Sequence, residues 1–183
     1  MPKVKSSSGN GLISSLAPAG HYLALRVGFA FPMEERNLFP RAWVAEYTQK
    51  GLLLFDPVMR WVYQNRGMAR WSALGLDDPA GVMAAARLHG LVYGVAVVVT
   101  DEDARGQRSF GSFARQDREF TDDEMTELEA ELRQMHIAKR PPTNLTDAEL
   151  EALRMVKDGL LMKEIAGLLG VTEGAVQQRL KNA

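Results

Sequence analysis

Trp43, Tyr47, Asp56 and Trp71 are the side chains whose types and spacing could do chemistry together. Trp43 and Tyr47 stand four residues apart, so on a helix their rings share one face. Tryptophan offers a single N–H donor on a large apolar body. Asp56 directly precedes Pro57, and a buried aspartate is costly unless it meets a donor. The amide of a bound molecule would supply that donor, and so would the backbone of a helix that Pro57 begins. The chemistry this suggests is the holding of a small polar molecule between apolar walls. The same residues also fit plainer roles. The rings could be core aromatics, Asp56 a helix cap only, and Gly90 and Gly94 a turn and a close strand approach.

Groups able to make or break bonds are not gathered anywhere along the chain. There is no cysteine, which excludes disulfides, thiolate metal sites and a thiol nucleophile. His21, His89 and His136 lack the spacing of a metal site. There is no G-x-S-x-G elbow and no phosphate loop. Asp101-Glu102-Asp103 reads as a solvated turn. The expectation is a protein that is not an enzyme and carries no metal and no cofactor.

The elements that must position these residues follow from patterning. The chain has 183 residues, 46% hydrophobic and 25% charged, with net charge −1, the balance of a globular protein. Residues 1–20 are small and polar and read as a flexible N-terminus. Tyr22 to Phe29 reads as a strand that Pro32 ends. Arg41 to Lys50 reads as a helix opened by Pro40 and stopped by Gly51. Helices follow from Pro57 to about Asn65 and from Asp78-Pro79 to His89. Val92–Thr100 and Gln107–Arg115 read as a hairpin. Thr121 caps a helix with Asp122, Asp123 and Glu124 in its first turn and Met125, Leu128, Leu132 and Met135 on one face. No apolar run follows Lys3 and Lys5 as in a signal peptide, and none approaches the roughly 20 residues that span a bilayer. With no cysteine, the expected location is the cytoplasm, with no membrane partner.

Lys139-Arg140-Pro141-Pro142-Thr143-Asn144 reads as a stiff linker at 139–144, dividing a sensing-type domain at 21–138 from a small helical domain at 145–183. In the latter, Thr146 and Glu149 form a capping box, with Leu150, Leu153 and Val156 as the buried stripe. Leu161–Leu169 is a second helix burying Ile165, Leu168 and Leu169, and Gly170-Val171 makes a turn. Thr172 caps a third helix that buries Val176 and Leu180. Two short helices joined by a glycine turn are the plan of a helix-turn-helix. Its exposed face would carry Gln177, Gln178, Arg179, Lys181 and Asn182 toward bases and phosphates, with Lys163 as a phosphate contact. Many helical hairpins share that spacing.

Leu145-Thr-Asp-Ala-Glu149, Lys163-Glu-Ile-Ala166, Leu169-Gly-Val-Thr172 and Ala175-Val176 together resemble the DNA-binding domain of LuxR-type regulators. Trp43-x-x-x-Tyr47, Asp56-Pro57-Val58, Trp71-Ser72 and Gly90-x-x-x-Gly94 resemble that family's acyl-homoserine-lactone-binding domain. The resemblance implies an α+β fold: an antiparallel sheet flanked by helices as an α/β/α sensing domain, followed by an all-α helix-turn-helix domain. It implies that Trp43 donates to a lactone carbonyl and that Asp56 accepts the ligand's amide N–H. Tyr47 and Trp71 would line the pocket, and Ser112 would sit near the acyl amide. Phe39 stands where the family usually carries a tyrosine reaching the acyl carbonyl, so one neutral hydrogen bond of about 0.5–1.5 kcal/mol is expected to be absent. Lys163, Thr172, Gln177, Gln178, Arg179, Lys181 and Asn182 would face DNA. The implied function is a quorum-sensing transcriptional regulator that binds an autoinducer and DNA, as a homodimer or paired with a related regulator. Compared with the family, the stretch before Trp43 is short, and the chain stops at Ala183 where a fourth helix is expected. Two further readings stay open: a regulator with another ligand or none, and an interaction protein that pairs with a full-length relative and blocks it.

Overall fold

A computed structural model describes residues 9–27, 32–101, 107–139 and 147–182. The chain divides into two compact units, Met1–Lys139 and Arg140–Ala183.

The first unit is built on five antiparallel strands: β1 (Gly20–Val27), β2 (Pro32–Asn37), β3 (Gly67–Arg70), β4 (Tyr93–Thr100) and β5 (Arg108–Arg115), in the order β2-β1-β5-β4-β3. Side chains alternate between faces along a strand, and here both faces are apolar. Leu23, Leu25, Val95, Val97, Val99 and Phe113 point to one side. Ala24, Ala96, Val98, Phe110 and Ala114 point to the other. On the first face lie α1 (Gly9–Leu16) and α5 (Asp122–Ala138); on the second, α2 (Arg41–Gln49), α3 (Pro57–Gln64) and α4 (Val82–Leu88). In α5, Met125, Leu128 and Leu132 are buried, and Thr121 and Glu124 close the capping box. The antiparallel sheet between helical layers is the expected one.

Several elements differ from the sequence reading. The expected flexible N-terminus holds α1, whose Ile13 is fully buried and whose following Ala17 is 2% exposed. Glycine and serine are poor helix formers, but burial of an apolar face decides short helices. Pro32 does not end the sheet; it opens β2, whose side chains alternate between half-buried and exposed. An edge strand tolerates proline because its missing N–H faces no neighbour. The short β3 follows Gly67 where only a helix stop was read. Asp78 does cap a helix, but one that begins at Val82. Its carboxylate accepts from Val82 N and Met83 N, both at 2.8 Å, across Gly81 at φ +66°.

The second unit packs α6 (Asp147–Lys157), α7 (Met162–Leu169) and α8 (Glu173–Asn182) around Ile165, Ala166 and Val176. Leu153, Val156 and Leu168, expected inside, are exposed; Ala152 and Ala166 are the buried residues instead. A three-helix unit this small needs small residues where helices approach closely. Gly170 ends α7 at φ +63°, and Thr172 Oγ1 accepts from Ala175 N at 3.2 Å at the start of α8. Gly28, Phe29, residues 102–106 of the hairpin turn, linker residues 140–144 and the cap residue Thr146 lie outside the described residues, as does the Leu150 side chain.

Candidate functional site

Between the sheet and the α2–α4 layer lies a cavity of about 230 Å³. All six residues expected at a ligand site line it: Phe39, Trp43, Tyr47, Asp56, Trp71 and Ser112. Pro40 precedes α2, whose inner face carries Trp43, 5% exposed, and Tyr47 one turn on. Their rings meet edge to face with centroids 5.3 Å apart.

Gly51, at φ +60°, turns the chain from α2 toward α3. Asp56 then caps α3: its Oδ1 accepts from Val58 N at 2.8 Å and Met59 N at 3.4 Å. The Tyr47 hydroxyl donates to Oδ2 at 2.7 Å. Asp56 is therefore both a helix cap and a cavity residue, because one oxygen serves the backbone and the other faces Tyr47. Burial raises the Asp56 pKa above its ordinary value, against the pull of the Tyr47 hydroxyl and the two amides. Burial, then the Asp56 charge, pushes the Tyr47 phenol strongly upward, so it stays a donor. Each oxygen of a carboxylate can accept more than one hydrogen bond, so Oδ2 keeps capacity for another N–H.

Among the described residues, neither the Trp43 indole N–H nor the Ser112 hydroxyl meets a protein hydrogen-bond partner. Ser112 sits mid-strand in β5 and is 6% exposed. The Trp71 N–H is buried without an acceptor. Its indole lies flat on Gly94: a Cβ there would stand 2.2 Å from Cδ2 and Cε2 of Trp71. The Gly94→Ala variant is expected to push the indole off the sheet, costing about 1–3 kcal/mol as overpacking. Urea denaturation checks this, and an unchanged midpoint would mean that the ring is not seated there. Gly90 serves a turn instead, at φ +84°.

Tyr22, Glu35 and Asn37 also line the cavity and were not anticipated. The alternation of β1 places Tyr22 beside Ala24, but β2 carries a proline and three charges that mask it as a strand. None of the three histidines lines the cavity, although the His89 ring packs against Trp43 with centroids 5.7 Å apart. His89 Nε2 contacts Glu46 at 2.7 Å, and His21 is buried in β1. On the opposite face of the sheet, Ser109 Oγ meets His136 Nδ1 at 2.7 Å, and His136 Nε2 meets Asp101 Oδ1 at 3.1 Å. The side chain of Asp101 is 16% exposed and also ion-pairs with Arg26, which corrects its reading as part of a solvated turn. Ser109 is fully buried, so no substrate reaches its hydroxyl, and the row braces the fold. Among the described residues no group of three or more His, Asp or Glu side chains is placed to hold a metal.

A family model of the autoinducer binding domain matches residues 25–138, the span that carries every residue lining the cavity except Tyr22. The chain belongs to this family. Regulatory protein SdiA of Escherichia coli K12 is 28% identical to this chain over 155 residues, 79% of it and 65% of SdiA. The HTH-type quorum-sensing regulator RhlR of Pseudomonas aeruginosa is 25% identical over 165 residues, 81% of this chain and 66% of RhlR. The chain thus spans just under two thirds of the length of either relative. A solved structure of SdiA in complex with octanoyl-rac-glycerol shares the fold, with TM-score 0.58 at 24% identity over 97% of this chain and 82% of that one.

In the second unit, Lys163, Thr172, Gln177, Gln178 and Lys181 are exposed. Arg179, expected on the exposed face, is half-buried, and the Asn182 side chain lies outside the described residues.

Proposed function

We propose that this protein is a ligand-responsive transcriptional regulator of the quorum-sensing type, binding an acyl-homoserine lactone between the sheet and α2–α4 and DNA through α7 and α8. The observation that carries the reading is the meeting of Trp43 and Asp56, from separate helices, in one cavity. There an unpartnered N–H stands near a carboxylate with acceptor capacity to spare. A ligand with a carbonyl and an amide matches that pair, Trp43 donating and Asp56 accepting. Tyr47 and Trp71 supply apolar walls, Ser112 a hydroxyl, and Phe39 a ring without the hydroxyl usual in the family. Support for DNA binding is the α7–Gly170–α8 geometry, with Gln177, Gln178 and Lys181 on its outer side and Lys163 and Thr172 at helix starts. Glutamine reads adenine, while lysine and arginine contact phosphates or guanine. Ligand would complete the core of the first unit, stabilise it by linkage and favour a dimer able to hold two half-sites.

The test has two arms. Melting temperature is measured with acyl-homoserine lactones of increasing chain length and with 1-octanoyl glycerol. A rise with a lactone is expected; no rise with any lactone, against a rise with the glycerol ester, would replace the ligand class. DNA selected from a random library is then used in mobility shifts at increasing salt. Affinity should fall steeply, and Lys163→Ala should lower the logarithmic salt slope by about one. Failure to select any DNA would remove the second half of the reading.

A further inference from the structure

Of the residues that line the cavity, Glu35, Asn37, Thr48 and Leu53 are exposed, and the rest are buried or half-buried. The cavity therefore opens to water between the outer edge of the sheet, at β2, and the end of α2 with the turn that follows it. Glu35 and Asn37 stand two residues apart on β2, so both project to its cavity side. One rim of the mouth thus carries a carboxylate.

No protein cation answers that charge. Among the described residues no lysine, arginine or histidine lines the cavity, whereas two carboxylates do, Asp56 inside and Glu35 at the mouth. Arg36 projects to the other side of β2 and pairs with Glu34, which also takes Lys139 at 2.6 Å. Arg41 lines an adjoining cleft instead of the cavity. Glu35 forms no ion pair among the described residues. The lining is also aromatic, with Tyr22, Phe39, Trp43, Tyr47 and Trp71. The face of an aromatic ring is negative and attracts a cation. Carboxylates and ring faces without a balancing cation favour positive ligands and oppose negative ones.

Desolvation decides which carboxylate takes the charge. An ammonium drawn in as far as Asp56 would shed its water, a penalty that the attraction of one buried pair repays only with excellent geometry. At Glu35 the ammonium keeps part of its hydration while an apolar body enters between the rings. The volume of about 230 Å³ keeps that body small, below the roughly 300–1,000 Å³ of common ligand sites. We infer that the mouth is a cation site: the cavity takes small aromatic amines in their protonated form, with the ammonium at Glu35 and the ring among Trp43, Tyr47 and Trp71. This ligand class goes beyond the lactone proposed above and does not depend on it.

The experiment is titration of the full chain with 2-phenylethylammonium, 2-phenylethanol and 3-phenylpropanoate, which share a body and differ in charge. Trp43 and Trp71 line the cavity, so tryptophan fluorescence reports its occupancy. The ammonium is expected to bind about threefold to tenfold more tightly than the alcohol, and the carboxylate most weakly of the three. Added salt should shrink the preference for the cation and leave the alcohol unchanged. Glu35→Gln, at an exposed position of an edge strand, should bring the ammonium to within about twofold of the alcohol. Equal binding of ammonium and alcohol by the unaltered protein overturns the inference, as does a preference that survives in Glu35→Gln or is indifferent to salt. Binding of none of the three overturns it too, and in each case the lactone reading stands or falls by its own melting measurements.

Discussion

Replacing Arg26 with methionine is expected to cost the protein about 3 kcal/mol of stability. Arg26 is 1% exposed and adopts a left-handed backbone, φ +53°, where the pairing of β1 with β5 shifts register between Ala24 and Val27. Such a conformation is rare for a residue with a side chain, and here it turns the guanidinium in under α5. Its Nε donates to the His136 carbonyl at 2.8 Å, one terminal nitrogen pairs with Asp101, and its backbone N–H donates to Ser109 Oγ at 2.8 Å. Methionine retains much of the packing volume but removes the positive charge paired with Asp101 and the donor to the His136 carbonyl. Removing one partner of a buried pair is far costlier than removing both. The estimate sits at the low end of such losses because Asp101 keeps 16% of its exposure. The double variant Arg26→Met, Asp101→Asn should therefore recover most of the loss, a coupling that urea denaturation of all three proteins measures as a double-mutant cycle. Burial pulls the Asp101 carboxyl upward, but Arg26 and His136 hold it below its ordinary 3.8. Its share of stability is thus present above that value and lost as pH falls through the lowered one. A single variant within 1 kcal/mol of the parent would show that the pair is not a brace.

The hairpin, α5 and the two helices that carry Trp43 and Asp56 were legible because their signals are local. The valine run of β4, the box of Thr121 and Glu124, and the proline-marked starts of α2 and α3 each settle an element within a few residues. What was not legible depends on contacts far along the chain. Helix α1 exists because Ile13 reaches a core made by β1, β4 and α5, which the residues around it do not announce. Strand β2 reads as a charged loop because an edge strand keeps only one side against its neighbour, and its Glu35 and Asn37 disappeared from the expected site with it. Asp101 reads as solvated from its neighbours alone because its partners, Arg26 and His136, lie 75 and 35 residues away.

The cavity shows the same division. The six residues named from the family resemblance, Phe39, Trp43, Tyr47, Asp56, Trp71 and Ser112, all line one cavity, and a packing role does not keep a residue from facing it. Asp56 caps α3 with one oxygen and faces the cavity with the other. Trp71 covers Gly94 and borders the cavity at once. A sequence motif cannot divide the two oxygens of a carboxylate between two tasks; only the placement of Tyr47 does.

That division makes Asp56→Asn the most informative change at the site. Asparagine caps helices as well as aspartate, so its amide oxygen can still accept from Val58 N, and removing a charge whose burial is unfavourable offsets other losses. Stability is expected to stay within about 1 kcal/mol. Binding behaves differently. With the amide oxygen committed to the cap, the NH₂ group takes the place of Oδ2 and meets the ligand's N–H donor to donor. Losing a charged acceptor and leaving that N–H unpaired should cost about 2–3 kcal/mol, roughly 30- to 150-fold in affinity. The pH dependence separates this account from a general disturbance. Because burial raises the Asp56 pKa, the ligand-free protein gains stability from this group as pH falls through the raised value toward 3.8. The complex needs the carboxylate and loses affinity over the same window. The ligand-induced rise in melting temperature should therefore grow with pH across that window in the parent protein and stay flat in Asp56→Asn. Equal affinity in the two proteins, or the same pH slope, would show that the ligand's amide finds its acceptor elsewhere.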